Sequence, residues 1–89
     1  MPTDKDSLST RPVWIQLPKL KMEYWGERSL KKIAGLVGNV IKLDKATSQK
    51  ARLRFARVLV ELNTNEEYPE EIHFTNVNDE LITQKVTYE

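Results

Sequence analysis

The sequence predicts an α+β domain, with an antiparallel-rich sheet of about five strands and one helix packed on one face. The chain has 89 residues, enough for a single domain with one core. One stretch has the 3.6-residue period of an amphipathic helix. Residues 1–10 lack an apolar pattern and are predicted to be a disordered lead-in, so the domain is expected over 11–89. The strand-like runs, in the order β-α-β-β-β-β, lie at 13–17, 40–44, 52–62, 71–75 and 81–88.

The first strand gives the sheet two unlike faces. Val13, Ile15 and Leu17 are aliphatic and alternate with Trp14 and Gln16. Successive side chains of a strand point to opposite faces, so the last two are predicted to lie on the face away from the aliphatic residues. The proline that follows cannot donate to a strand ladder and ends the run.

The helix follows a short connector. Its apolar stripe, at the spacing i, i+3, i+4 and i+7, consists of Leu30, Ile33, Ala34 and Val37. We expect a helix over about 26–37, with a left-handed stop at Gly38 and Asn39.

The second strand is short and leads into a polar segment. Ile41 and Leu43 are two residues apart, so they are predicted to share one face of the strand at 40–44. Residues 45–50 are polar and are predicted to form a loop.

The longest strand determines what the second face of the sheet presents. Its small and aliphatic residues, which suit packing under a helix, are Ala56, Val58, Val60 and Leu62. Phe55 and Arg57 then point to the open face that a single covering helix leaves. The first and third strands of a β-α-β-β unit are usually neighbours, so Trp14 and Phe55 are predicted to form a two-ring platform beside Arg57.

Such a platform is how the RNA recognition motif stacks bases. The third strand of that motif reads K/R-G-F/Y-G/A-F/Y-V-x-F/Y. The run at 55–60 keeps the first aromatic, the small residue and the Val, and has Arg57 in place of the second aromatic. The runs at 71–75 and 81–88 are predicted to form a hairpin. The structural alternative is that Trp14 and Phe55 are core residues, covered by this hairpin or by a partner domain.

Charge is divided unevenly along the chain. Residues 1–60 hold 13 of the 14 Lys and Arg residues and 5 of the 13 Asp and Glu residues, a net charge of +8. Residues 61–89 hold 1 Lys and 8 acidic residues, a net charge of −7. A basic surface attracts polyanions and speeds encounter with them. The same division also allows the two halves to attract each other.

Residues suited to catalysis or metal binding are few. The chain has no cysteine and a single histidine, His73, which excludes disulfides and clustered imidazole ligands. The paired glutamates at 66–67 and 70–71 are interpreted as a solvated loop. We therefore expect no enzyme activity, no cofactor and no metal site. We also expect no membrane segment and an intracellular location, in the nucleus or the cytoplasm.

Four pieces of the sequence resemble a plant family. They are V-W-I-Q-L-P at 13–18, E-Y-W at 23–25, G-N-V-I-K-L-D-K-A-T at 38–47 and R-F-A-R-V-L-V-E at 54–61. The corresponding family patterns are V-W-V-R-L-P with a later Y-W, G-x-x-x-x-x-D-x-A-T and R-F-A-R-V-x-V-E. The family is the domain of unknown function found before CCHC zinc knuckles in plant proteins related to LINE-type retrotransposons and their Gag-like first reading frames. The resemblance covers about residues 11–89.

The resemblance implies a fold like that of the RNA recognition motif and a role in binding nucleic acid. It also implies the C-terminal part of a larger domain with a zinc-knuckle segment downstream, and a structural role for Tyr24 and Trp25 in wedging the helix start against the sheet. We predict a module that binds single-stranded RNA or DNA, with RNA preferred. The alternatives are a protein assembly module, including self-association, and a scaffold without a nucleic-acid ligand of its own. The predicted binding residues are Trp14, Gln16, Lys42, Lys45, Lys50, Arg52, Phe55 and Arg57.

Overall fold

The computed structural model describes residues 9–49 and 54–89. The first strand begins one residue before the predicted start of the domain, and residues 1–8 of the predicted lead-in lie outside the described part of the chain. The strands and helices are β1 (Thr10–Pro18), a 3-10 turn (Met22–Tyr24), α1 (Glu27–Ala34), β2 (Asn39–Leu43), α2 (Lys45–Ser48), β3 (Phe55–Asn63), β4 (Glu71–Thr75), β5 (Leu81–Lys85) and β6 (Thr87–Tyr88).

The described strands form two antiparallel sheets. Four strands pair in the order β2-β3-β1-β6, and β4 and β5 form a separate hairpin. The predicted α+β class and antiparallel pairing are confirmed, and the first and third strands are neighbours as expected. The expectation of one sheet of about five strands is wrong. The run predicted at 81–88 is interrupted at Val86, after which the chain leaves the hairpin and pairs as β6 with β1.

One face of the four-stranded sheet carries the core. The aliphatic residues of β1 and β3 are buried in the alternating pattern that their sequences predict. Trp25 is buried immediately before α1, and its indole Nε1 donates to the Leu20 carbonyl oxygen at 2.9 Å, which satisfies its polar atom. Tyr24 packs edge-on against Phe74 of the hairpin, with ring centroids 5.3 Å apart. The other core residues include Leu30, Ile33 and Ala34 of α1, together with Ile72 and Val86.

α1 ends earlier than the sequence predicts, and for a different reason. Gly35 caps the helix at φ −62°, in the right-handed region. No described glycine has a positive φ, and neither has Asn39, so the predicted left-handed stop is wrong. Gly38 is needed for close packing instead. A Cβ at Gly38 would lie 2.5 Å from the carbonyl oxygen of Glu61 and 2.7 Å from Cδ2 of Leu62.

A bulge in β2 changes which residues face the core. The register against β3 shifts between Val40 and Lys42, and Ile41 is 49% exposed. The expectation that Ile41 and Leu43 share one face is therefore wrong. Val40 and Leu43 pack against the core, while Lys42 pairs with Leu59.

The segment predicted as a polar loop after β2 contains the short helix α2. Asp44 caps it, since its carboxylate accepts from the backbone N–H of Thr47 at 3.4 Å. Thr47 is fully buried, and its hydroxyl oxygen accepts from the backbone N–H of Arg57 at 2.8 Å. The backbone N–H of Asp44 donates to the Arg57 carbonyl oxygen at 3.0 Å. α2 is thus fixed beside the start of β3.

Candidate nucleic-acid interface

The face of the four-stranded sheet opposite the core carries half-buried side chains. We call this set the open face and define it by Trp14, Gln16, Phe55, Arg57 and Leu59. The pairing of β1 with β3 arranges the set in three rows: Trp14 opposite Leu59, Gln16 opposite Arg57, and Phe55 opposite a proline. The alternation of the sequence predicts this facing correctly.

Arg57 and Trp14 form the centre of the open face. The guanidinium carbon of Arg57 lies 4.0 Å from the centroid of the Trp14 ring, a stacking distance. Lys42 from β2 brings its Nζ to 5.9 Å from the same ring. Nucleic-acid bases stack on aromatic rings and also on arginine planes, so this group offers the surfaces that stacking uses.

Two carboxylates hold the Arg57 guanidinium. The Glu89 carboxylate accepts hydrogen bonds from Arg57 Nε and Nη2, each at 2.7 Å. The Asp44 carboxylate accepts from Arg57 Nη1 at 3.1 Å. The hydrogen bond to Glu89, and more weakly that to Asp44, raises the pKa of Arg57 above its ordinary value. The guanidinium thus carries its full charge, and that charge is balanced locally.

Glu89 is held on the open face from several sides. Its backbone N–H donates to the Trp14 carbonyl oxygen at 2.9 Å, continuing the β6 pairing. Its Oε2 also accepts from Gln16 Nε2 at 2.8 Å. Gln16 therefore contributes to this face as a support for the carboxylate.

The predicted two-ring platform is not contiguous. Trp14 and Phe55 share the open face, but the row that contains Gln16 and Arg57 lies between them. Residues four apart on a strand are separated by about 13 Å, so the two rings are not neighbours in the sheet. What lies beside Trp14 is Arg57, as predicted, together with Lys42.

The predicted lysines and arginines are only partly on this face. Lys42 is exposed on β2, and Lys45 is exposed in the first turn of α2. Lys50 and Arg52 lie outside the described residues. Sequence reasoning missed a basic pair at the Phe55 end of the sheet, where the backbone N–H of Lys19 donates to the Arg54 carbonyl oxygen at 3.0 Å.

No protein-family model, curated protein or solved structure significantly matches the chain. The family resemblance therefore stays a prediction that rests on its motifs. Several motif residues meet in the structure: Gly38 lies against β3, while Asp44 and Thr47 both bind Arg57. In this chain these roles are structural.

Other kinds of site find no support in the described part of the chain. Residues 9–49 and 54–89 contain no group of three metal-ligating side chains close enough to hold an ion. None of the helices in those ranges has the length and apolarity needed to cross a membrane. His73 is exposed on β4, with Nδ1 3.1 Å from the Thr83 hydroxyl oxygen.

Sequence reasoning missed both carboxylates of the site. Asp44 had a usable signal, since Asp is one of the residues preferred at a helix N-cap. Glu89 had none, because its approach to Arg57 depends on the pairing of β6 with β1 across 73 residues of sequence.

Proposed function

We propose that the open face binds single-stranded nucleic acid, with RNA preferred, by stacking bases at Trp14. The observation that carries this proposal is a half-buried tryptophan in a central strand of an antiparallel sheet, with two cations over or beside its ring. Trp14 lies on the sheet face away from the core, and aromatic side chains on such a face are typical of base-stacking surfaces.

The arrangement of strands supports the same proposal. In the RNA recognition motif, a four-stranded sheet presents aromatic side chains to the bases. In this chain β1 and β3 are the two central strands of a four-stranded sheet, and they contribute Trp14 and Phe55 to one face. Trp14 and Phe55 are about 13 Å apart along the strand direction, which suits two bases of one nucleic-acid strand that stack at separate points.

The charges around the open face favour binding that is weakly selective for sequence. Lys42 and Lys45 are exposed beside the face, and Lys19 and Arg54 are exposed at its Phe55 end. Cations of this kind contact phosphates, which position a strand without reading its bases. Self-association through the basic and acidic parts of the chain stays an alternative proposal, which the absence of RNA binding would favour.

Replacing Trp14 tests the proposal directly. Trp14→Ala removes the stacking surface, and we expect its affinity for a ten-nucleotide single-stranded RNA to fall about 5- to 150-fold, the equivalent of roughly 1–3 kcal/mol. Trp14→Phe keeps a ring and should lose much less. Fluorescence anisotropy at about 50 mM salt measures both, since weak electrostatic binding is strongest at low salt.

A control variant and a second ligand complete this experiment. Val77→Ala changes a residue that is 96% exposed and belongs to the hairpin turn, so its affinity should equal that of the wild type. Double-stranded RNA should bind more weakly than single-stranded RNA, because its bases are not free to stack. Wild-type protein that binds no RNA, or Trp14→Ala that binds as well as the wild type while folded, overturns the proposal.

A further inference from the structure

We infer that the Arg57 guanidinium is a phosphate subsite of the open face, and that the Glu89 carboxylate occupies this subsite in the free protein. The inference deepens the proposed function and rests on it. A phosphodiester of the bound strand takes the place of the carboxylate. Glu89 therefore limits affinity and has to move when nucleic acid binds.

The geometry of the ion pair matches phosphate recognition. Glu89 Oε2 accepts from Arg57 Nε and Oε1 accepts from Nη2, each at 2.7 Å. This two-pronged contact on one edge of the guanidinium is the arrangement that both carboxylates and phosphates adopt on arginine. The contacting oxygens of Glu89 thus stand where two oxygens of a phosphodiester would bind.

The remaining contacts of Arg57 keep the subsite in position when Glu89 leaves. Asp44 holds Nη1 at 3.1 Å, and the Trp14 ring supports the guanidinium plane at 4.0 Å. The Arg57 backbone is fixed by its ladder to β1 and by the buried hydroxyl of Thr47. An arginine held in this way does not have to be ordered again when it exchanges one anion for another.

The side chain of Glu89 lies where it can exchange with another anion. Glu89 follows β6, which has two residues and pairs with β1 at Ile15 and Gln16, and its backbone N–H adds one bond to the Trp14 carbonyl oxygen. The side chains of Arg57 and Glu89 are 26% and 31% exposed. At this exposure water and salt ions reach the pair, so another anion can compete for the guanidinium.

The location of the subsite fits its proposed ligand. Arg57 lies in the row between Trp14 and Phe55 on the open face. A strand whose bases stack at both rings has to pass its backbone close to this row. A phosphate at Arg57 therefore lies between the two stacking positions.

The test compares two variants that remove the same charge. Glu89→Gln weakens the contact with Arg57, whereas Glu71→Gln removes an exposed carboxylate on the hairpin strand β4. We expect Glu89→Gln to bind the single-stranded RNA about three- to tenfold more tightly than Glu71→Gln at the same salt. The slope of log affinity against log salt should be the same for the two variants, because Arg57 contacts one phosphate of the bound strand in each complex. Equal affinities for the two variants overturn the inference.

A second readout does not depend on RNA. The NMR resonance of the Arg57 Nε–H is followed while inorganic phosphate is added to the wild type and to Glu89→Gln. We expect a larger shift in Glu89→Gln at every phosphate concentration. If neither variant binds RNA but this shift is seen, the proposed function fails while the anion subsite stands. If the Arg57 resonance moves in neither protein, the subsite itself is refuted. Thermal unfolding of both variants confirms that the comparison is between folded proteins.

Discussion

Gly38 shows how a single residue allows two elements to meet. It lies between α1 and β2, where the chain passes directly against the end of β3. The position requires the absence of a side chain, because a Cβ would overlap the Glu61 carbonyl oxygen at 2.5 Å. Backbone atoms of a central strand cannot move aside cheaply, since they belong to a hydrogen-bonded ladder.

A matched pair of glycine substitutions tests whether Gly38 is needed for the close approach to β3. Gly38→Ser forces the chain away from β3, and we expect the free energy of unfolding to fall by about 1–3 kcal/mol, as for other overpacked sites. Gly26→Ser is the control, because a Cβ there meets nothing within 4 Å and the residue is the N-cap of α1. Serine is a good N-cap, so this variant should match the wild type or be slightly more stable. Urea unfolding measures both, and equal losses for the two variants would contradict the role assigned to Gly38.

The face of the sheet on which a side chain lies was predictable wherever apolar and polar residues alternate regularly along a strand. Trp14 and Arg57 lie on the open face because their neighbours in sequence are buried aliphatic residues. The partners of Arg57 were not predictable, because a contact with Glu89 requires the strand order to be known first. Local pattern fixes which way a side chain points, while long-range pairing decides what it meets.

At the scale of elements, the segment from β2 to α2 departs most from expectation. The bulge at Ile41 and the four-residue helix Lys45–Ser48 are both too short to produce a periodic pattern. β1 alternates from Val13 to its end and β3 alternates throughout, so both strands could be predicted within about three residues at their ends. The same reason explains β6, whose two residues were read as part of a longer hairpin strand.

The attachment of α2 to β3 depends on Thr47, and its replacement should be costly. Thr47→Val keeps the shape of the side chain but leaves the partly buried backbone N–H of Arg57 without its acceptor at 2.8 Å. We expect a loss of about 1–3 kcal/mol in the free energy of unfolding. Ser48→Ala, at an exposed position of the same helix, should change it by less than about 0.5 kcal/mol. Faster hydrogen exchange at the Arg57 amide is the specific sign of the lost bond, and its absence in Thr47→Val would argue against this role.

At the scale of the whole molecule, charges from both parts of the sequence meet on one face of the sheet. Glu61, which pairs with Pro12 near the end of β3, lies at one end of the open face. Lys19 and Arg54 lie at the other end. The central charge of Arg57 is balanced by carboxylates from both halves of the chain. Carboxylates and cations that are separated along the sequence therefore lie together on this face.

Tyr88 joins β6 to the loop that precedes β4, and the stability that this contact contributes should depend on pH. The Tyr88 hydroxyl donates to the Pro69 carbonyl oxygen, and its ring packs 5.1 Å from that of Tyr68. Burial, and secondarily the neighbouring Tyr68, raises the pKa of Tyr88 to about 12. In the unfolded chain a tyrosine has a pKa of about 10. The folded state thus holds this proton more tightly. The contribution of the protonated phenol to stability is complete below about pH 10 and is lost as the pH rises to about 12.

Urea unfolding between pH 8 and 12 tests this dependence. The free energy of unfolding should fall more steeply with rising pH for the wild type than for Tyr88→Phe, which has no proton to release at this position. Parallel pH profiles for the two proteins would show that Tyr88 titrates alike in the folded and unfolded states, and that the stability contributed by this contact does not depend on the protonated phenol.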